Sequence, residues 1–441
     1  MLLLYNLLFP LLFLLYLPVF VTKLLRRGGF RHGFAERFGC FARTRKEALR
    51  RLHRPVWIHA VSVGEAVAAC SFIHRWHERQ PQLPFVLSTT TTTGHAMAAR
   101  KLPQGVELIY SPLDFYPFVK RTLSLVRPRL LVIFEVEIWP NLVALTARHA
   151  PVALVNGRMS DKSAAGYARY RRLVGRLFRR FSIFCMQSEA DAARVRRVVE
   201  DAVPTVVCNT MKFDQVPDAR TGDVSQLLRR VFGEAPRLVW TVGSTHPGEE
   251  ELAADAFLAA RETCPALKMV LVPRHHERTA EVEKVLRSKN LSYCLLTATP
   301  AERPSPADVL LVNTTGELMN FYAVCDIAYV GKSLAGNHGG HNIIEPAIFA
   351  KPIMHGASLE NFRLVAEVFR NEQATCEIDR DRDLAPALRE LCADCAKRRD
   401  LGERARRVVE QQRGAIDRTI ERLEPLLNSQ GQTPELDAFF C

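Results

Sequence analysis

Two acidic residues stand where acid–base chemistry can be done. In Trp57-Ile58-His59-Ala60-Val61-Ser62-Val63-Gly64-Glu65 an apolar run ends in a small-residue turn, and Glu65 falls where the next helix should begin. A carboxylate there can act as a general base toward a hydroxyl, or it can simply favour the positive end of the helix dipole. His59, inside the run, reads as a packed histidine. Phe134-Glu135-Val136-Glu137-Ile138-Trp139-Pro140 closes another run. Read as a strand, it points Glu135 and Glu137 the same way. Such a pair is costly unless a cation or a proton offsets it, or both are exposed. Lys212, in Thr210-Met211-Lys212-Phe213-Asp214, offers a compact charge for a phosphate or carboxylate, or is an ordinary surface lysine.

The second half of the chain carries residues suited to an anion. Val242-Gly243-Ser244-Thr245-His246-Pro247-Gly248-Glu249 and Thr314-Thr315-Gly316-Glu317-Leu318 are turns after apolar runs. Turns of this kind expose backbone N–H groups. Pro273-Arg274 places a guanidinium, whose planar fork matches phosphate, after a third run. The densest signal runs from Gly331-Lys332-Ser333-Leu334 through Gly339-Gly340-His341-Asn342-Ile343-Ile344-Glu345-Pro346. A glycine-rich loop entering a helix lets amides approach a phosphate, and Glu345 could accept hydrogen bonds from ribose hydroxyls; a plain turn is the alternative. The chain has no GxxxxGK[ST] loop, which argues against an ordinary ATPase.

Positioning these residues requires parallel sheets. Apolar runs at Val56–Val61, Phe85–Ser88, Leu130–Glu135, Val152–Val155 and Ile183–Gln187 alternate with helix-like stretches. A second series follows at Leu238–Val242, Met269–Val272, Val309–Val312, Ile327–Val330 and Pro352–Met354. Strands alternating with helices imply βαβ units, and open α/β sheets bind ligands beyond the carboxyl ends of their strands. The expectation is α/β: two Rossmann-like domains facing a cleft, at 26–216 and 217–441, behind an apolar segment at 1–25.

That segment has no charged residue from Met1 to Thr22. As a helix it would reach about 33 Å, close to the thickness of a hydrocarbon core. Pro10 and Pro18 leave room for a kinked or interfacial form, and the missing basic n-region and cleavage site disfavour a signal peptide. Lys23, Arg26 and Arg27 follow, so the positive-inside rule keeps the rest of the chain in the cytoplasm. Eleven dispersed cysteines suit that reducing compartment. Sixty Lys and Arg against 47 Asp and Glu give a net charge of +13, which favours an anionic partner without choosing it. Arg158–Arg180 reads as an amphipathic helix, with Tyr170, Leu173, Val174 and Leu177 as its apolar stripe and a strongly basic face toward anionic lipid; the alternative is an ordinary domain helix whose stripe packs on the sheet and whose arginines are solvated.

Taken together, these segments resemble the Kdo (3-deoxy-D-manno-octulosonic acid) transferases of lipopolysaccharide synthesis. The resemblance runs through the apolar amino terminus, WIHAVSVGE at Trp57–Glu65, TTTTTG at Thr89–Gly94, FEVEIWPN at Phe134–Asn141, VNGRMS at Val155–Ser160 and MKFD at Met211–Asp214. It continues through GSTHPGEE at Gly243–Glu250, VPRH at Val272–His275, TGEL at Thr315–Leu318 and GGHNIIEP at Gly339–Pro346. Lys332, where many members have glycine, and Cys208, before the Lys212 segment, depart from the pattern.

The resemblance implies a GT-B fold with a membrane-anchoring amino-terminal helix, and an inverting, metal-independent transfer of Kdo from CMP-Kdo to a lipid A precursor at the cytoplasmic face of the inner membrane. It implies no cofactor and no nucleic-acid partner. The catalytic base falls on Glu65, a second essential acid on Glu135 and a steadying cation on Lys212. Donor contacts fall on Pro273, Arg274, Gly316, Glu317, Asn342, Ile343, Ile344 and Glu345. The growing negative charge on the leaving phosphate would meet Arg274, Lys212 and the amides of 339–342. Asp379-Arg380-Asp381 has a DxD pattern but reads as solvated surface. Another nucleotide-sugar transferase or epimerase of the same fold is the alternative.

Overall fold

The computed structural model describes residues 2, 4–9, 15, 18, 22, 33–135, 138–214, 221–234, 237–298 and 307–428. The chain divides into two compact units, Met1–Gln215 with Gly414–Cys441, and Val216–Arg413.

The first unit is built on β1 (Val56–Ala60), β2 (Phe85–Thr89), β3 (Glu107–Tyr110), β4 (Leu130–Phe134), β5 (Val152–Gly157), β6 (Ile183–Met186) and β7 (Thr205–Val207). They form a sheet of order β3-β2-β1-β4-β5-β6-β7, every pairing parallel. Both faces are covered, which is why β1 and β4 are buried along their whole length and, His59 apart, apolar. Alternate residues serve opposite faces: Val56, Ile58 and Ala60 pack with Phe72 and Trp76, whereas Trp57 packs with Leu131, Ile133 and Phe184.

The second unit repeats the plan with β8 (Leu238–Thr245), β9 (Leu267–Pro273), β10 (Tyr293–Leu295), β11 (Val309–Leu311), β12 (Ile327–Val330), β13 (Ile353–Gly356) and β14 (Cys376–Ile378). Its order is β10-β11-β9-β8-β12-β13-β14, again parallel. Two Rossmann-like sheets are therefore present, as the alternation of runs implies.

Chain order misassigns the last helix. Ala415–Asn428 belongs to the first unit, not to a second domain running from 217 to 441. Ile416, Ile420 and Leu423, at helical spacing, complete the core around Phe72 and Trp76. The Asp214 carboxylate accepts from the Gly414 and Ile416 amides at 2.6 Å each, satisfying donors at the head of this helix. Arg75 grips Asp417 through two nitrogens, at 2.8 and 3.0 Å.

The basic segment also differs from expectation. It is two helices, Asp161–Arg169 and Arg171–Phe178, meeting at Tyr170, whose φ of −107° and ψ of 28° interrupt the first. Of the expected stripe, Leu177 is buried in the core with Phe184 and Val174 packs against that core, whereas Tyr170 is exposed. Arg171 and Arg179 both pair with Glu200, at 2.8 and 2.6 Å. The proposed anchor at 1–25 lies largely outside the described residues. Among the described residues no helix is long and apolar enough to cross a membrane.

Candidate functional site

In the first unit the candidate residues follow the carboxyl ends of β1, β4, β5 and β7. Glu65 is the third residue of the helix Val63–Arg79, and Ser62 is its N-cap. Ser62 Oγ accepts from the Glu65 amide at 3.2 Å, and Glu65 Oε1 in turn accepts from Ser62 Oγ at 2.8 Å. Glu65 Oε2 accepts from the Val61 amide at 2.8 Å. This is a variant of the capping box, in which the carboxylate reaches the N-cap hydroxyl and the amide one residue before it, so the helix-initiating role is real. It also immobilises the carboxylate at the sheet edge.

Glu135 is not a strand residue. β4 ends at Phe134 and Glu135 sits at φ +57°, a left-handed conformation rare for a non-glycine side chain. Side-chain alternation therefore gives no ground for pairing it with Glu137, which lies outside the described residues. Its partner is a cation: Arg158 Nε approaches Glu135 Oε2 at 3.1 Å. Lys212 faces the same pair. Burial holds its ammonium below the ordinary lysine range and Arg158 adds to this, while Glu135 opposes both. Asn156, itself at φ +51°, accepts from the Met211 amide at 3.1 Å and so sets the segment that carries Lys212.

Sequence reasoning gives no role to Arg158 or Asn156; the available signals were a basic residue directly after a buried strand and an Asn near that strand's end. His59 is buried, as the sequence suggests. It lies edge-on to Trp139 at 5.1 Å and 3.0 Å from Ser88 Oγ, and burial lowers it to about 4, so the ring is neutral.

In the second unit the glycine-rich loop is not the open cradle its composition suggests. The buried Glu249 carboxylate accepts from the amides of Lys332 (2.7 Å), Ser333 (3.0 Å) and Leu334 (3.2 Å), from the His246 amide (2.9 Å) and from the Tyr329 hydroxyl (2.9 Å). The Gly339 amide goes to Glu360 at 2.7 Å and that of Gly340 to the Lys332 carbonyl at 2.9 Å. The loop is built by an internal carboxylate, and a phosphate cradle made of all the amides of 339–342 is excluded. Lys332 sits at φ +66°, the conformation glycine adopts without strain.

Around this loop stand His246, His275 and His341. The Nε2 atoms of His246 and His341 are 3.1 Å apart, and the rings of His246 and His275 are 5.8 Å apart. Burial lowers His341 to about 4; His246, Arg274 and Lys332 act in the same direction. Their signal was present in the quoted turns, but no role was read for them.

Arg274 follows β9 and is exposed, its amide bonded to the Thr245 carbonyl at 3.0 Å. Glu345 opens the short helix Ile344–Ala347, and burial raises it to about 7 against the lowering effects of Asn342 and Arg274. Gly316, at φ +92°, leaves open space where a side chain would stand, and Glu317 stands at the N-cap position of the next helix without a side-chain capping bond, its carboxylate accepting from Asn320 Nδ2 at 2.8 Å. Pro273, Ile343 and Ile344 are buried, so donor contacts from the two isoleucines would have to come from their backbone. The Ile344 amide already donates to Asn342 Oδ1 at 3.2 Å. Among the described residues no cluster of His, Cys, Asp and Glu has metal-holding geometry.

Residues 32–215 match the family described as 3-Deoxy-D-manno-octulosonic-acid transferase (kdotransferase). A 3-deoxy-D-manno-octulosonic acid transferase of Bordetella pertussis is 32% identical over 405 residues, 88% of this chain and 91% of the relative. The enzyme of that name from Haemophilus influenzae is 30% identical over 406 residues, 90% and 92% of the two chains. A solved glycosyltransferase from Rickettsia africae, 10% identical, covers 85% of this chain and 99% of its own with a TM-score of 0.57, a likeness of fold alone.

Proposed function

The chain belongs to the 3-deoxy-D-manno-octulosonic acid transferase family, and from that premise we propose that it carries Kdo from CMP-Kdo to a hydroxyl of the lipid A precursor. Glu65 is the general base. It takes the acceptor proton while the hydroxyl oxygen attacks the anomeric carbon and the bond to the CMP phosphate breaks. The observation that carries this role is the fixed carboxylate at the carboxyl edge of β1, held in place by the Ser62 hydroxyl and the Val61 amide.

Glu135 holds Arg158 and Lys212 as a paired cationic group, so that positive charge is preorganised where negative charge develops. In the second unit Arg274 meets the donor phosphate. Glu345 meets the ribose, with Asn342, Gly316 and Glu317 completing the nucleotide contacts. No step is assigned to a metal or cofactor.

The acceptor is a lipid, and the enzyme works at the cytoplasmic face of the inner membrane. Its uncharged amino terminus serves as anchor, and the exposed Arg172, Arg176 and Arg180 meet anionic headgroups. Incubating the purified full chain with CMP-Kdo and the lipid A precursor tests the proposal. Expected is a product heavier by Kdo residues together with free CMP; CMP release without that product, or transfer from a UDP-sugar instead, overturns it.

A further inference from the structure

The start of the chain is integrated into the first unit. Residues 4–9 are helical. Leu2, Tyr5, Asn6 and Phe9, spaced as one helix face, turn toward the unit: Leu2 packs on its core and Phe9 stacks on Phe115 at 6.2 Å. Leu4, Leu7 and Leu8 turn outward, at 59%, 68% and 43% exposure.

The inward face is polar where it meets two helix heads. Tyr5 donates its hydroxyl to Asp114 Oδ2 at 3.0 Å. That same carboxylate accepts from the amides of Asn141 (3.0 Å) and Leu142 (2.9 Å), at the head of the helix Pro140–Thr146. The side chains of Asn6 and Asn141 bond each other reciprocally, at 2.8 and 3.0 Å, and Asn6 Oδ1 also accepts from the Tyr116 amide at 3.2 Å, at the head of the helix Tyr116–Val126. Asn141 lies two residues beyond Trp139, whose ring packs on His59 of β1, and six beyond Glu135.

A flexible tether needs none of these bonds. A segment that turns its two polar side chains inward and three leucines outward, within 22 residues free of charge, has hydrocarbon as its matching partner. We propose that Tyr5 and Asn6 are positioning residues that clamp the amino-terminal helix to the Asp114–Asn141 heads, so that the acyl layer met by Leu4, Leu7 and Leu8 is held in fixed register with the Glu135–Trp139 segment. The proposal rests on the membrane reading above and adds to it that residues 4–9 are fixed to the first unit.

Its test is the full chain against the double variant Tyr5→Phe with Asn6→Ala, which removes the bonding atoms and leaves Asp114 capping its helix. Sedimentation with phosphatidylethanolamine–phosphatidylglycerol vesicles is measured first. Transfer is then measured to acceptor embedded in those vesicles and to acceptor dispersed in detergent. The variant is expected to sediment as the wild type does and to keep its rate in detergent. With vesicle-bound acceptor it should lose about ten- to a hundredfold, the effect of a misplacement near 1 Å. Equal rates with vesicles would show that the clamp positions nothing. Equal losses in both assays would reduce it to a packing contact of the fold. A wild-type chain that self-associates and does not sediment with vesicles would overturn the lipid reading itself, whatever the variant does.

Discussion

Replacing Glu65 by glutamine separates its two roles. In the wild type the carboxylate bonds the Val61 amide and the Ser62 hydroxyl, at 2.8 Å each, and the Ser62 hydroxyl oxygen also accepts from the Glu65 amide at 3.2 Å. A glutamine can keep all three contacts: its carbonyl accepts from the Val61 amide, and its NH₂ donates to Ser62 Oγ, which turns its own proton away. Capping boxes accept Glu or Gln at this position. What is lost is the charge behind two hydrogen bonds, at about 1 kcal/mol each between charged and neutral forms, or about 2 kcal/mol in all. For a unit of this size that lowers Tm by about 4–8 °C. The amide cannot take a proton, so transfer should fall about 10²–10⁴-fold. Thermal melting and a CMP-release assay on the same preparation, with calorimetry for CMP, check all three quantities. CMP affinity should be unchanged. If Glu65→Gln kept more than a tenth of wild-type turnover with Tm nearly intact, Glu65 would be a helix cap and the base would lie elsewhere.

Other consequences follow from the second unit. Glu249→Gln turns one of two acceptor oxygens, each receiving at least two donors, into an NH₂ group. Two buried donors left facing it cost about 2–6 kcal/mol, read as a drop in urea midpoint with weaker CMP binding; a loss below about 1 kcal/mol would mean that Glu249 does not hold the loop. Arg274→Ala should weaken CMP by about 1.5–3 kcal/mol, roughly ten- to 150-fold, the worth of a charge-assisted bond, and unchanged affinity by calorimetry would place the phosphate elsewhere. Glu345 is raised from 4.5 to about 7 in the folded chain. Between those values the unfolded chain releases this proton and the folded chain keeps it, so stability falls as pH rises through the window and levels off above it. The full effect is on the order of 3 kcal/mol. Melts at pH 5 and pH 7.5 should show a smaller decline for Glu345→Gln than for wild type; parallel declines would remove Glu345 as the cause.

The sequence by itself determined the central strands. β1, β4, β8, β9 and β12 are covered on both faces, so their burial leaves a continuous apolar run that can be read directly. It determined also that Glu65, Arg274 and Glu345 follow such runs, because a parallel sheet puts the polar residues after its strands at one edge. The sequence also marks Thr205–Val207 (β7) as a short strand ahead of Lys212, so the strands that escape it are β3, β10 and β14, all of them sheet edges. They are short and partly exposed, so covering them asks for no unbroken apolar run.

Only the tertiary structure decided which partners the legible residues take. Glycine spacing says that amides are available at 331–340, and it cannot say that Glu249, more than eighty residues earlier, has already bonded three of them. Acidic spacing suggested Glu135 with Glu137, whereas the turn at φ +57° brings Arg158. The apolar stripe of Ala415–Asn428 marks a buried face without naming the sheet it covers. Tyr5 and Asn6, within an otherwise greasy run, acquire meaning only beside Asp114 and Asn141. Periodicity reports that a face must be buried; hydrogen bonds and ion pairs depend on distances between segments far apart in the chain, and those exist only once it has folded.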